Sequence, residues 1–432
     1  MTISAQPKST LAPSPGLELE DDHGSDPDCT LTRVLQRLGQ ISAVVVDAPC
    51  FTPSYDFSLC EGLVKNQCKV ILARSAYSYT TWCASGSFEL WEGFYPIAGK
   101  LSRISLPTSG KRLLKTVEHV FDMRRFVARM RALKPDVIHF QWLPVPVLDK
   151  IYLRQLRRIA PLVLTAHNTT LYHGVSSPLQ GLGFRSVFQY FDAIVAHTEY
   201  SKKRIHAKGW ISPEAVAVIP HGVLDYYRSL GRDTVADGAG AESRTIVFFG
   251  NIKPYKGLDV LLRAFHALPL ATRKSSRLVI AGLPHCDMRA SRKLSQDLGI
   301  DSQVTWKLEF MEELEVADLF RSAAVVALPY LEIDQSGVLM TAIAFETPIV
   351  ASRLEGFQET IQDGVHGYLV PPGEVSSLAS ALHHILTSPE QAGQMRQALR
   401  VLRKGRLSWD HCAKETLKVY AKVIDSHCAT SS

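Results

Sequence analysis

Several features that mark membrane-spanning, secreted and metal-binding proteins are missing from this sequence. No apolar run reaches the roughly 18 residues that a membrane-spanning helix needs. Residues 1–26 include no apolar segment of the kind found in signal peptides. The eight cysteines are scattered, with no Cys-x-x-Cys pair and no Cys/His spacing that suits zinc. The sequence therefore predicts a cytoplasmic protein with reduced thiols and no metal site, either soluble or resting on a membrane surface.

Charge is not concentrated anywhere along the chain. The net charge is +6 over 432 residues, and no tight basic run of the nucleic-acid-binding type occurs. We therefore expect no nucleic-acid partner, whereas an anionic substrate or a membrane surface fits a mildly basic protein. No Gly-x-Gly-x-x-Gly follows the first predicted strand, which argues against a dinucleotide-dependent dehydrogenase. No Asp-x-Asp motif follows a strand to hold a metal.

Short β-branched runs alternate with helix-length segments from Ile41 onward. Buried strands are predicted at 41–47, 68–73, 136–140, 162–166 and 193–196, and again at 245–250, 277–282, 303–306, 324–329, 348–352 and 367–370. Alternating strands and helices form parallel sheets with helices on both faces. The predicted fold class is α/β, with two doubly wound, Rossmann-like parallel-sheet domains that face a cleft.

Composition and pattern also suggest where the domains begin and end. Residues 1–30 are rich in Pro, Ser, Asp and Glu, and we expect them to form a disordered tail. A first domain is predicted at 38–228, a Gly- and Ala-rich linker at 229–243 and a second domain at 244–405. A C-terminal helix at 406–426 is expected to pack back on the first domain.

Two strand–helix turns of the second domain have the residues of an anion site. Gly250 allows a sharp turn, and Lys253 and Lys256 lie in the loop before a helix that Gly257 opens. Helix N-termini and nearby lysines attract anions, although a solvated turn with two lysines is the alternative.

The second of these turns runs from Gln335 to Val338. Ser336 and Gly337 can present backbone N–H groups to a diphosphate. A plain helix start capped by Ser336 is the alternative, and it is compatible with anion binding. Two such turns in one sheet favour a shared phosphate site.

With these turns the sequence resembles the GT-B glycosyltransferase superfamily, in particular the family-4 type of bacterial polysaccharide assembly. The resemblance runs from about Val44 to Ile424. Its strongest segments are Val-Ile-Pro-His-Gly-Val, Phe-Gly-Asn-Ile-Lys-Pro-Tyr-Lys-Gly, Gln-Ser-Gly-Val, Thr-Pro-Ile-Val-Ala-Ser and Asp-Gly-Val-His-Gly-Tyr-Leu-Val-Pro-Pro. It implies an acceptor-side first domain and a nucleotide-sugar-binding second domain. The implied reaction moves a hexose from a UDP- or GDP-sugar to a polysaccharide precursor or lipid-linked acceptor, without a cofactor.

The resemblance also implies a set of donor-binding residues. Lys256 matches one of two cations that the family places on the diphosphate, and we expect it to be catalytic. Asn251 stands where the family has an arginine, and Lys253 is the expected replacement. The expected donor-binding residues are Gly250, Asn251, Lys253, Lys256, Gln335, Ser336, Gly337, Val338 and Thr341.

Two glutamates of the family, separated by seven residues, are missing here. Ile333 and Thr341 stand at their positions, and the second glutamate normally holds the donor ribose. Glu332, Asp334 and Glu346 are the candidate substitutes. The Gly-rich loop of the family's first domain is also missing, and Cys-Phe-Thr-Pro-Ser-Tyr-Asp stands in its place.

In the first domain, His167 matches a histidine that family members place against the transferred sugar. An imidazole at the end of a strand can donate to a hydroxyl or move a proton, so we expect His167 to be catalytic. His197 ends the next strand, where capping of the following helix competes with a functional role. The residues expected to contact the sugar or the acceptor are Asn168, His197, Glu355, Gly356 and Phe357.

Other functions stay open at this point. Loss of both glutamates is compatible with a catalytically inactive GT-B binding subunit, or with another GT-B enzyme such as an epimerase. The stretches 111–115 and 124–134 are basic and apolar-striped, so they are either a peripheral membrane contact or an ordinary amphipathic helix packed on a sheet.

Overall fold

The structure is a computed structural model that describes residues 27–76, 86–101, 108–168, 184–230 and 244–431. Within these ranges the chain forms two parallel sheets flanked by helices, so the predicted pair of Rossmann-like domains is confirmed. Most of the predicted tail (1–26) and of the predicted linker (231–243) lies outside the described residues.

The first sheet has seven parallel strands in the order β3-β2-β1-β4-β5-β6-β7. The strands are β1 (Ser42–Asp47), β2 (Lys69–Ser75), β3 (Glu89–Phe94), β4 (Val137–Phe140), β5 (Leu162–Thr165), β6 (Ala193–Ala196) and β7 (Val216–Val218). Val44, Val45 and Val46 are fully buried, because helices cover both faces of the sheet. The strand order reverses at β1, and a crevice opens at the carboxyl ends where this happens.

The second sheet has six parallel strands in the order β10-β9-β8-β11-β12-β13. The strands are β8 (Thr245–Phe249), β9 (Arg277–Ala281), β10 (Val304–Lys307), β11 (Val325–Leu328), β12 (Ile349–Ser352) and β13 (Gly367–Val370). Strands β8 and β11 are neighbours, and the order reverses between them. The two predicted phosphate turns follow these two strands, so the topology places them side by side.

Helices cover both sheets. Those that precede the second sheet are α1 (Pro27–Leu38), α2 (Pro53–Lys65), α3 (Pro96–Leu101), α4 (Thr108–Leu133), α5 (Pro146–Leu156), α6 (Phe184–Val187), α7 (Glu199–Ala207) and α8 (Asp225–Ser229). The later helices are α9 (Leu258–Ala267), α10 (Leu270–Lys274), α11 (Arg289–Asp297), α12 (Glu313–Arg321), α13 (Gly337–Ala344), α14 (Glu355–Gln358), α15 (Val375–Thr387), α16 (Pro389–Lys404) and α17 (Trp409–Ser431).

The chain passes between the domains along two adjacent segments. After β7, the backbone N–H of Val223 donates to the carbonyl of Leu407 at 3.0 Å. The indole of Trp409 then donates to the carbonyl of Val223 at 2.6 Å. Helix α17 starts at Trp409 and packs against α1 and α2 of the first domain, where Tyr420 is fully buried. The last helix therefore belongs to the core of the first domain.

Some boundaries differ from the expectation. Helix α1 begins at Pro27, inside the last residues assigned to the tail, and its apolar residue Val34 is buried in the same core as α17. The edge strand β3 was not predicted, because most of its residues are exposed or half-buried. Within the described ranges, none of the helices combines the length and apolar character needed to cross a bilayer.

Candidate functional site

The two predicted phosphate turns meet at the carboxyl edge of the second sheet. A Cβ atom added to Gly250 would lie 2.9 Å from the Lys256 ammonium nitrogen and 3.1 Å from Cγ2 of Val338. The turn depends on glycine, since Gly250 and Gly257 have φ angles of +99° and +65°. Residues from the ends of β8 and β11 therefore surround one small space.

The ammonium of Lys256 is buried in this space, with the residue only 5% exposed. Nζ donates to the carbonyl of Phe249 at 3.3 Å and lies 5.2 Å from the centre of the Tyr330 ring. In the described ranges no carboxylate forms an ion pair with it. Burial lowers the pKa of Lys256 to about 8. Partial burial and the charge of Lys256 lower the pKa of Lys253 as well, so the pocket has excess positive charge.

The N-terminus of α13 completes the pocket. The Ser336 hydroxyl caps this helix by accepting from the backbone N–H of Leu339 at 3.3 Å. Gly337 is exposed and Val338 is half-buried beside Gly250, so the first turn of the helix opens toward the lysines. The side-chain nitrogen of Gln335 is buried without a hydrogen-bond partner. This arrangement suits an anionic ligand that accepts hydrogen bonds.

The structure also shows the surroundings of the other residues in this domain that were predicted to contact the donor or the sugar. Asn251 is exposed and its amide oxygen lies 3.3 Å from the ring nitrogen Nε2 of His285. The Thr341 hydroxyl donates to the carbonyl of Gly337 at 2.9 Å, inside α13. Thr341 is buried in the helix, and the Phe357 ring lies in the core. Only the backbone of Phe357 can therefore face a ligand.

The turn that carries Glu355 and Gly356 packs tightly against the loop that leads into α13. Glu355 is exposed at the start of α14. A Cβ atom on Gly356 would lie 2.6 Å from the carbonyl oxygen of Asp334, so only glycine allows this approach. The structure thus brings the Glu355–Gly356 turn against the loop that leads into α13.

Two of the candidate substitutes for the missing glutamates are already engaged. Asp334 forms an ion pair of 2.7 Å with Arg204 of the first domain. Glu346, at the other end of α13, is bound by three arginines: Arg228 at 3.3 Å, Arg400 at 2.9 Å and Arg403 at 3.1 Å. Both carboxylates are therefore held in ion pairs with arginines. Glu332 is exposed.

The first domain carries a row of aromatic rings along the carboxyl edge of its sheet. Phe51 follows β1, Trp142 follows β4, His167 follows β5, His197 follows β6 and His221 follows β7. Successive ring centres are 5.6, 5.0, 5.3 and 5.1 Å apart. Because neighbouring strands lie about 4.8 Å apart, one ring at each strand end builds a continuous row. We call these five side chains the ring row.

The histidines of the ring row are neutral at neutral pH. Burial lowers the pKa of His197 to about 4 and that of His167 well below its usual value. The Nδ1 nitrogen of His197 donates to the carbonyl of Ile219 at 3.0 Å, which leaves Nε2 as an acceptor without a partner. Helix α7 is capped by the Thr198 hydroxyl, so His197 is not the capping residue.

Sequence reasoning missed several residues around His167. The Gln141 amide oxygen accepts from Nε2 of His167 at 3.0 Å, and the Gln141 side-chain nitrogen is buried without a partner. Tyr55 lies beneath the histidines, with its ring centre 4.7 Å from that of His167. Asn168 is half-buried next to His167. Gln141 and Trp142 could have been identified from their position, because they directly follow a predicted strand.

The domains touch through α7. Asp334 pairs with Arg204, as described above, and the Glu359 carboxylate accepts the backbone N–H groups of Glu199 and Tyr200 at 2.6 and 2.7 Å. Carboxylates at a helix N-terminus are favourable. The loop before α13 and the segment after α14 therefore bind the first domain directly.

The uncompensated charge of Lys256 predicts a gain in stability when it is removed. The unfolded chain keeps the usual lysine pKa of 10.5, so between about pH 8 and 10.5 it binds more protons than the folded chain. The free energy of unfolding should therefore rise over this pH range. In Lys256→Met that rise should vanish, and the second domain should be more stable at pH 7 by on the order of 2 kcal/mol.

Urea unfolding of the full chain at several pH values measures both effects. Lys253→Met is the matched control, because Lys253 is only half-buried and should change stability less. A Lys256→Met protein that is less stable than the parent at pH 7 would contradict the assignment of an uncompensated charge.

The Arg204–Asp334 pair predicts a measurable domain contact. Asp334→Asn should weaken the contact by about 1–3 kcal/mol, since Asp334 is buried and Arg204 is partly exposed. Small-angle scattering of the ligand-free chain should then show a larger radius of gyration. Asp287→Asn, which breaks an exposed pair of 2.6 Å on the surface, is the control. Identical scattering curves for Asp334→Asn and the parent protein would argue against the contact.

Comparison with known proteins agrees with this geometry. Residues 57–224 match the family model described as Glycosyltransferase Family 4, and residues 243–388 match that of Glycosyl transferases group 1. The D-inositol 3-phosphate glycosyltransferase of Mycobacterium tuberculosis is 30% identical over 313 residues, which are 68% of this chain and 63% of that protein. The chain thus spans less than two thirds of the length of this relative.

Solved structures show the same fold. The Anabaena protein HepE, crystallised with UDP and glucose, superposes with a TM-score of 0.66 at 16% identity, covering 89% of this chain and 100% of that one. A glycosyltransferase of Rickettsia africae gives 0.65 at 13% identity, covering 89% and 98%. With two sheets that meet at such a cleft and family matches in both domains, the chain belongs to the family-4 type of GT-B glycosyltransferases.

Proposed function

We propose that this chain transfers a hexose from a UDP- or GDP-sugar to a polysaccharide precursor or a lipid-linked acceptor. The observation that carries the proposal is the buried ammonium of Lys256, which lies between two phosphate-type turns without a carboxylate partner in the described ranges. The diphosphate of a nucleotide-sugar would supply the missing negative charge. HepE was crystallised with UDP and glucose, which supports testing UDP-sugars first.

The geometry suggests how the chain would assist the reaction. The bond between the anomeric carbon and the diphosphate oxygen breaks, and its electron pair stays on that oxygen. Lys253, Lys256 and the backbone N–H of Gly337 stabilise this charge as it develops. The acceptor oxygen forms the new bond to the anomeric carbon and its proton passes to the departing diphosphate, while His167 contacts the sugar from the other domain. The two lysines supply the positive charge, so no further cofactor is invoked.

A second candidate is a binding subunit without activity. It is favoured by Ile333 and Thr341 at the positions of the family's glutamates, and by the engagement of Asp334 and Glu346 in ion pairs. Such a subunit would bind nucleotide-sugars without consuming them. An inositol phosphate is a further acceptor candidate, since the mycobacterial relative is named for one.

We further propose that the chain works in the cytoplasm with α4 resting on an anionic membrane. The two basic stretches of the sequence form this single helix. Leu113, Val117 and Phe121 recur every four residues along it and are 67%, 49% and 58% exposed. Arg124 continues the same face and is exposed. An apolar stripe with adjacent basic residues fits an interfacial helix, and a surface of this kind would bring a lipid-linked acceptor close.

Lys256→Met should bind the nucleotide-sugar donor much more weakly than the parent chain does. Calorimetry with UDP-glucose and GDP-mannose should show one of them binding the parent chain, and the variant binding it about 30- to 100-fold more weakly, since a charged hydrogen bond is lost. Lys307→Met removes an exposed lysine two strands away and serves as the control. Near-normal sugar transfer by Lys256→Met would reject the phosphate role. Binding without donor consumption by the parent would favour the inactive subunit.

The helix α4 should anchor the chain to vesicles that contain phosphatidylglycerol. In flotation experiments the parent should float with these vesicles and stay behind with pure phosphatidylcholine, because the helix offers both apolar and basic groups. Phe121→Ser combined with Leu113→Ser should abolish flotation, whereas Leu270→Ser, on the exposed surface of α10, should not. Equal flotation of the double variant would exclude α4 as the contact.

A further inference from the structure

The exposed end of the ring row forms a fixed aromatic platform. Phe51 is 52% exposed and contacts Trp142 edge to face, at 5.6 Å and 80°. The Trp142 indole donates to the Thr52 hydroxyl at 3.0 Å and stacks on His167 at 5.0 Å and 12°. Hydrogen bonding and stacking hold the indole plane, so the platform is formed before any ligand arrives.

The surroundings of the platform lack positive charge. Among the described residues, the loops that follow β1, β4, β5, β6 and β7 contain no Lys or Arg. Arg74, at the end of β2, is buried and pairs with Glu92 at 3.0 Å. Asp47 and Asp56 are buried below the β1 loop, and burial raises the pKa of both carboxyls. The histidines are neutral, so nothing described at this edge offers a counter-charge to a phosphate.

Two polar atoms beside the platform have no partner. The Gln141 side-chain nitrogen can donate, and Nε2 of His197 can accept. Gln141 binds His167 through its amide oxygen, and the His197 ring lies 5.3 Å from the His167 ring. Buried polar groups normally find partners, so a donor and an acceptor without partners among the described residues give this edge uncharged hydrogen-bonding capacity that suits hydroxyl groups. A hydroxyl group both donates and accepts.

We propose that this edge binds the acceptor as a neutral sugar ring. One face of the ring rests on the exposed Phe51 side chain, beside Trp142, at the end of the ring row. The C–H bonds on one face of a pyranose give it an apolar, slightly positive surface that matches the negative face of an aromatic ring. The inference rests on the proposed function and names the class of its acceptor.

The two sheet edges differ in charge, and this difference determines which substrate each domain would bind. The diphosphate is drawn to Lys253 and Lys256 on the second sheet, whereas the first sheet offers rings and uncharged hydrogen-bonding atoms. A phosphorylated acceptor would leave its charge unpaired near two buried carboxyls, which is unfavourable. The site should therefore discriminate against phosphorylated sugars, inositol 3-phosphate included.

Acceptor binding can be measured on the full chain saturated with UDP or GDP, whichever of the two the parent binds. Saturation-transfer NMR would compare methyl glycosides of glucose, galactose and mannose with their 6-phosphates, and inositol with inositol 3-phosphate. We expect at least one neutral sugar to bind, and its phosphorylated form to bind about tenfold more weakly or worse, a difference of about 1.4 kcal/mol. Equal or tighter binding of the phosphorylated forms would overturn the proposal.

Variants test the platform itself. Phe51→Ala should raise the dissociation constant of the neutral sugar about tenfold, and Trp142→Phe should retain much of the binding because a ring remains. Phe310→Ala, which removes a similarly exposed ring from the second domain, is the control. All variants should bind the nucleotide like the parent. Nucleotide binding without any sugar binding would overturn this inference alone, whereas failure of the parent to bind either UDP or GDP would overturn the proposed function.

Discussion

The burial of one ammonium group organises the second domain. Lys256 lies against the backbone of Gly250 and under the ring of Tyr330, with a carbonyl as its hydrogen-bond acceptor. Burying a charge without a counter-ion is costly, and folding must offset that cost elsewhere. Gly250 makes room for the nitrogen, and Gly257, also with a positive φ, allows the loop to approach the carbonyl of Pro329 closely. A bound ligand that supplies the counter-charge would offset the free-energy cost of burying the ammonium group.

The same architecture occurs twice, yet the two sheet edges have opposite chemistry. In both domains the loops after the strands face the cleft, because a parallel sheet presents all its carboxyl ends on one side. The second edge holds lysines and an open helix N-terminus. The first edge holds a row of rings whose histidines burial keeps neutral. The difference lies in the loop residues, so similar folds present one positively charged edge and one uncharged edge.

The sequence was sufficient for the fold class, for most strands and for the location of two adjacent strand–helix turns, because buried strands and Gly-Lys loops have strong local patterns. It was insufficient for features that depend on the order of the strands within a sheet. The ring row exists because β1, β4, β5, β6 and β7 are neighbours in that order, and no local pattern reveals this. Partners were also hidden: Asp334 looked free to bind ribose, but it pairs with Arg204, 130 residues away. The core position of Phe357 depends on packing against Tyr330.

Contacts across the cleft connect these two edges. The loop that carries Asp334 also carries Gln335 and Ser336, so the ion pair with Arg204 joins the donor turn to α7 of the first domain. Glu359 binds the start of the same helix, directly after His197 and Thr198. A shift of α7 relative to the second sheet would therefore move the end of β6 and the start of α13 together. One contact is an ion pair and the other is a carboxylate that accepts backbone N–H groups, so two charge-assisted contacts on the same helix fix its orientation relative to the second domain.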